Sequence, residues 1–367
     1  MALNSTGPIS IGGTIVGESI NLELKLSATA NSSIGQTNFR TLAKVPTGTI
    51  SLDDFHGKSD VIVLPAIEAT TNNVVIIADD IPGYIAGDTK IELTVEYNVY
   101  VYSTTSDDGG LTFDGFTTGD EIKIINNGYI QGKGGSGGNS TYNAINNGQP
   151  GGNAIDIINS IGASFVIENY GTLLGGGGGG GGSGLSGGGG GAGGGNGGFA
   201  QDAYDITPGG AGGGAGMPGQ DGAVPNHYGG GGSGGGGGGA WGYGGAAVYV
   251  YQEGHFELSK WAGKGGLSGG SGGANMFVAC GNSGYGYTGA GGSYNNPGGN
   301  GYMIVHLASN LMCCAGGGGG WGASGGSGGG TTQPSVYHPG GPGGKAVSLN
   351  GASITVFNSG VVAGAIS

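Results

Sequence analysis

Charge is the scarcest resource in this chain: only 9% of its 367 residues are charged, and Lys and Arg together number 10 against 23 Asp and Glu. A net charge of −13 leaves no basic stripe to displace counterions from a phosphate backbone, so nucleic acid is excluded as a partner. No apolar run approaches membrane-spanning length, and the N-terminus has neither a charged segment nor the apolar stretch of a secretory leader, so no membrane insertion is expected. Cysteine is nearly absent. Cys280, Cys313 and Cys314 form an odd set that reads as small buried hydrophobes in a protein made in reducing cytosol. No Cys-x-x-Cys occurs, and the five histidines (56, 227, 255, 306 and 338) lack metal-ligand spacing, so neither metal nor cofactor is expected. The P-loop pattern is also missing, because Gly57-Lys-Ser59 and Gly344-Lys-Ala346 both fail it.

Glycine is abundant and unevenly placed: 72 of the 99 lie in residues 175–345. Runs such as Gly175 to Gly182 ignore the every-third spacing that a collagen axis demands. On either side stands a repeated phrase, Ile124-Ile-Asn126-Asn-Gly128-Tyr-Ile130, Ile167-Glu-Asn169-Tyr-Gly171-Thr-Leu173 and Val356-Phe-Asn358-Ser-Gly360-Val-Val362. Alternating apolar residues around an Asn-x-Gly turn describe one strand-turn-strand rung, and a rung buries its apolar face only by stacking on another. The copies do not recur at a fixed period. The reading is therefore a β scaffold over 120–175, completed by 346–367, from which residues 176–345 are inserted.

Ahead of the scaffold, residues 1–60 form a small unit whose core is too slight to stand alone, so it docks on something. Ser19-Ile-Asn-Leu-Glu-Leu-Lys-Leu26 alternates like a half-buried strand, whereas Asn38 to Ala43 and Ser51 to Gly57 have the caps and stops of short helical turns. Residues 61–119 carry strand runs at Val61 to Leu64, Val74 to Ile77, Lys90 to Tyr102 and Leu111 to Phe116, divided by turn residues, and read as a small antiparallel β-sandwich. Asp107, Asp108 and Asp114 lack the spacing of a calcium loop and read as a turn. The fold class is all-β.

Within 175–345, pure glycine tracts alternate with segments rich in aromatic and polar residues. Glycine can pack as extended threefold helices at backbone distance, but its ordering entropy demands that many hydrogen bonds close together. Tyr204, His227, Tyr228, Tyr285, Tyr287, Tyr294, Tyr337 and His338 are the candidate recognition residues, because aromatic side chains give contact area at little entropic cost. Trp241, Trp261 and Trp321, beside glycine tracts, are expected in the core. Asp202 with Asp205, and Glu253 with Glu257, are the carboxylate pairs that a glycan-cleaving enzyme would need, but they read as solvated loop acids and not as a catalytic dyad.

Two resemblances follow from these phrases. Gly7-Pro-Ile-Ser-Ile11, Ser19-Ile-Asn-Leu-Glu-Leu24, Ser27-Ala-Thr29 and Ser51-Leu-Asp-Asp-Phe-His-Gly-Lys-Ser59 resemble an N-terminal module of tail proteins of tailed bacteriophages. The stretch from Asn169 through the glycine tracts resembles the glycine-rich adhesins at the tips of phage long tail fibres, whose polyglycine II core holds variable receptor-contacting loops. The resemblance implies a non-enzymatic virion tail protein attached through residues 1–60 to other tail or baseplate proteins and binding a bacterial surface receptor, protein or glycan. A homotrimer is usual for fibres, yet a self-closing bundle needs one chain. A purely structural tail component and a host-polysaccharide depolymerase are the alternatives.

Overall fold

The structure, a computed structural model, describes residues 3–58, 60–141, 147–182, 187–201, 209–212, 316–330 and 338–367, together with short strand segments between them. Candidates outside these stretches carry no structural account.

Residues 3–58 fold around Leu3, Ile20, Phe39, Leu42, Ala43 and Phe55, with Phe39 and Phe55 edge to face at 6.1 Å. Thr37–Ala43 is helical and stops where Lys44 turns left-handed. Leu52–Phe55 is a 3-10 turn under a capping box in which Ser51 N donates to Asp54 Oδ2 at 2.7 Å. The expected strand at 19–26 is instead a helical turn, Ile20–Glu23. Ser19 accepts from Leu22 N as its cap, and Lys25 at φ 55° reverses the chain before an extended run can form.

Residues 61–174 and 346–367 wind into a three-sided parallel β-solenoid of five coils. The first sheet stacks Val61–Val63, Lys90–Val95, Glu121–Asn126, Ser164–Asn169 and Ser353–Asn358. A second stacks Thr71–Asn72, Tyr100–Tyr102, Tyr129–Gln131, Thr172–Leu174 and Val361–Ala363. The third stacks Val74–Ile77, Leu111–Asp114, Ile155–Ile158 and Val347–Ser348. The antiparallel sandwich expected for 61–119 is thereby corrected: its strands pair parallel, with one another and with the scaffold strands, as the first two coils of one solenoid. Each parallel partner is reached by travelling round the other two faces, so no hairpin is needed. The run read as one strand from Lys90 to Tyr102 bends at residues 96–99 from the first sheet to the second.

Alternate residues point inward and make one core, including Leu93, Val101, Phe113, Ile124, Ile155, Phe165 and Leu173. Phe165 meets Phe113 at 5.4 Å and Phe116 at 6.3 Å, both edge to face, so coil four is tied across the core to coil two and the corner after it. Where the third sheet turns back to the first, Asp120 is fully buried and accepts from Tyr84 Oη at 2.7 Å, Thr117 N at 2.8 Å, Gly87 N at 2.9 Å and Thr89 N at 3.2 Å. One carboxylate thus ties the corner after coil one to the corner after coil two. Burial, with the Asp120 hydrogen bond second, pushes the Tyr84 hydroxyl far above its usual titration range.

The repeated phrase occupies the corner between the first and second sheets of coils three, four and five. Asn126, Asn169 and Asn358 share one register position and point inward. Asn126 Nδ2 donates to Asn169 Oδ1 at 2.7 Å, and Asn169 Nδ2 to Asn358 Oδ1 at 2.7 Å. The glycine two residues on is sterically required: a Cβ on Gly171 would stand 2.0 Å from Gly128 O, and one on Gly360 would stand 2.0 Å from Gly171 O.

Candidate functional site

Insertions leave the solenoid at one corner, between the second and third sheets. Coil one spends only residue 73 there, coil two residues 103–110, coil three residues 132–154 and coil four residues 175–346. The second and third sheets are kept in register on both sides, Leu174 beside Gln131 and Ile155 beside Val347, so every excursion starts and ends on a fixed frame. That frame removes part of the closure entropy of a very long loop.

The second sheet passes directly into a glycine lattice, as Gly132 N donates to Leu174 O and Gly175 N to Ala363 O. At its centre runs the segment 175–182, whose hydrogen bonds repeat every three residues. Gly176 and Gly179 donate to Gly152 and Gln149, Gly177 and Gly180 to Ala192 and Gly189, and Gly178 and Gly181 to Ala323 and Gly326. The carbonyls follow the same period: Gly176 and Gly179 accept from Gly344 and Gly341, Gly177 and Gly180 from Gly135 and Gly138, and Gly178 and Gly181 from Gly319 and Gly316. One chain segment is therefore bonded to six neighbours, all from the same chain. Satisfying every central amide and carbonyl in this way offsets the high cost of ordering glycine.

The spacing leaves no room for side chains. A Cβ on Gly178 would lie 1.9 Å from Gly341 O, and one on Gly179 would lie 1.9 Å from Ser136 O. Two of the six neighbours, 135–138 and 149–152, come from the coil-three insertion, so the lattice draws on residues that the sequence reading assigned to the scaffold. The signal was present in the short glycine groups of Gly132-Lys-Gly-Gly-Ser-Gly-Gly138 and Pro150-Gly-Gly152.

Trp321 seals the base of the lattice. It is fully buried with Leu174, Ala192 and Ala363, and its ring lies 3.1 Å from where a Cβ of Gly193 would stand. Burial pushes the Lys133 ammonium below its usual range, and burial raises the Asp156 carboxyl against the lowering effect of the Asn153 hydrogen bond at 2.7 Å. Both flank the lattice root. In the loop 103–110, Thr105 Oγ1 donates to Asp108 at 2.8 Å, and Asp114 accepts from Asn159 Nδ2 at 2.9 Å, so these acids are held by side-chain hydrogen bonds of the turn and strand.

Of the candidate recognition residues, His338 is the one with a described side chain. It is half-buried at the lattice edge, where its backbone pairs with Gly328 in both directions, and its Nε2 is buried without a hydrogen-bond partner among the described residues. Burial pushes its imidazole below the ordinary histidine value. Tyr287 lies in the strand Gly286–Tyr287, paired with Tyr302–Met303. Tyr204, His227, Tyr228, Tyr285, Tyr294 and Tyr337 lie outside the described residues, as do Asp202, Asp205, Glu253, Glu257 and Trp241. Among the described residues no group of three or more His, Cys, Asp or Glu is disposed to hold a metal ion, and no helix is long and apolar enough to cross a membrane.

The architecture is a parallel β-solenoid that projects from one corner a glycine lattice whose central segment, 175–182, carries no side chains. The sequence model of the phage tail fibre adhesin Gp38 family matches residues 66–254, more than half of the chain, and the chain belongs to that family, a component of the virion tail. A solved structure, the gp37-gp38 adhesin tip complex of the bacteriophage S16 long tail fiber, is similar at 17% identity, covering 98% of this chain and 100% of that chain with a TM-score of 0.35. That likeness is too distant to define the fold. No curated protein matches the chain.

Proposed function

We propose that this adhesin binds a receptor on the bacterial surface, without enzymatic action, through the loops between its glycine tracts, and that the lattice is a polyglycine II bundle serving as their rigid mount. The observation that carries this is the six-neighbour bonding of residues 175–182. A lattice interior built of backbone alone has no side chain to offer a ligand, so recognition falls to the aromatic and polar segments that interrupt the glycine, among them Tyr204, His227, Tyr228, Tyr285, Tyr287, Tyr294 and Tyr337. His338 serves the lattice edge instead, since its Nε2 is buried. Residues 1–60 mount the chain on other tail proteins. All six neighbours belong to one chain, so the bundle closes without a second copy.

The test is binding of labelled, purified protein to intact host cells, beside a variant in which 133–153 and 176–345 are both replaced by short turns. Removing 176–345 alone would strand the amides of Gly135 and Gly138, which donate to Gly177 and Gly180. Saturable binding by the full chain and none by the variant is the expected result. Equal binding by both would place recognition elsewhere, and oligosaccharide released from host envelopes by the purified chain would overturn the non-enzymatic reading.

A further inference from the structure

The N-terminal unit and the solenoid keep separate cores, with no buried residue in common. Between them lies a cleft of about 450 Å³ whose one wall is Val16, Leu22 and Lys25 and whose floor includes Lys123, Val166 and Glu168 on the outer face of the first sheet. Ion pairs bracket it. Lys25 Nζ donates to Glu121 Oε1 at 2.7 Å, Lys90 pairs with Asp60, and Lys123 stands 3.2 Å from Glu168 and 3.5 Å from Glu92.

Two features of the cleft point to an occupant. Val16 is 54% exposed at its mouth and the neighbouring Ile15 is 59% exposed, an apolar lip that folding alone leaves in water. The charges around the cleft are five carboxylates against three ammonium groups, so its own ion pairs leave a negative excess. Because the ammonium groups are already engaged by carboxylates, few directed donors remain for a compact anionic or polar small molecule. An extended chain segment fits better, laying apolar side chains against Val16 and Val166 and a cation toward the acidic excess.

We infer that this cleft receives an extended segment of the tail protein that carries the chain, with a lysine or arginine set between apolar residues. The inference rests on the proposal that residues 1–60 mount the adhesin, and adds that the solenoid's first sheet supplies half of the mounting surface. Intact tail fibres purified from phage lacking this chain are the probe, and binding of the full-length chain to them is measured by surface plasmon resonance at low and high salt. Val16→Lys and Glu168→Lys change opposite sides of the cleft, and each is expected to weaken binding about tenfold or more, because each sets an ammonium group against the segment's cation and the first also removes an apolar contact. High salt should weaken wild-type binding as well. Fibre binding by wild type that both variants match would overturn the cleft while leaving the mounting proposal intact. No fibre binding by wild type would overturn the mounting proposal, and the cleft with it. Thermal unfolding checks the fold of both variants; should Glu168→Lys unfold, Val16→Lys at its exposed position decides alone.

Discussion

Asn169 and Asn358 are 189 residues apart in sequence and joined by a 2.7 Å hydrogen bond from Nδ2 to Oδ1. Everything in the glycine-rich insertion lies between these two residues, so the bond closes the solenoid over it. Asn169 also donates to Val361 O at 3.3 Å and accepts from Asn126, and its side chain is buried. Asn169→Leu keeps the volume and removes every partner, leaving polar groups of Asn126 and Asn358 unmatched. A loss of about 2–3 kcal/mol is expected, seen as a lowered denaturant midpoint; an unchanged midpoint would show that the ladder is dispensable.

Glycine-to-alanine changes should separate sharply by position. Alanine ordinarily stabilises by about 0.4–1 kcal/mol through the unfolded chain where the backbone permits it. Gly35 has only Ser33 Oγ near its missing Cβ, at 4.0 Å, so Gly35→Ala should be neutral or mildly stabilising. Gly179→Ala would force a Cβ to 1.9 Å from Ser136 O and 2.4 Å from Ser136 C, both backbone, so the neighbouring segment must move and its bonds to the centre break. Destabilisation of more than about 3 kcal/mol, or failure to fold, is expected. Thermal unfolding of the two variants side by side gives the comparison.

Much of this architecture could be read from residues, for reasons that also mark where reading stopped. The Asn-x-Gly phrase was visible because the inner corner of three coils imposes one requirement on each: an amide to pass along the ladder and a glycine to admit the next coil's carbonyl. Coils one and two lack the phrase because Ile67 and Val95 stand where the later coils have asparagine. Alternation of apolar residues is the same in parallel and antiparallel strands, so the runs in 61–119 could not declare their partners. The lattice followed from composition and the loss of side-chain space, whereas the aromatic loops obey no periodicity that would place them. At 19–26 the apolar alternation was real, but a serine cap and one left-handed lysine decided the local conformation.

Asp120 is a second point on which coil stacking depends. Its two oxygens take four donors, three of them backbone amides of the corners at residues 87, 89 and 117. Asp120→Asn preserves the shape but turns one acceptor into a donor that faces N–H groups. Leaving buried amides without acceptors should cost about 2–4 kcal/mol. Amide hydrogen exchange should then quicken at Gly87, Thr89 and Thr117; if global stability falls while those amides stay protected, the carboxylate acts through charge and not through these bonds.

The lattice edge should weaken in mild acid. Burial disfavours the charged form of His338, so its folded pKa lies below the ordinary value of 6.5 that the unfolded chain has. Above 6.5 both states are neutral and the residue contributes no pH dependence. As pH falls below 6.5 the unfolded chain takes up the proton first, which lowers stability until the folded pKa is reached and the slope vanishes. His338→Gln removes this titration without removing the backbone pairing to Gly328. The stability of wild type minus that of the variant should therefore fall between pH 7.5 and pH 5. A difference that stays flat would mean that His338 titrates alike in both states, and that the buried Nε2 reaches a proton acceptor or solvent when the ring is charged.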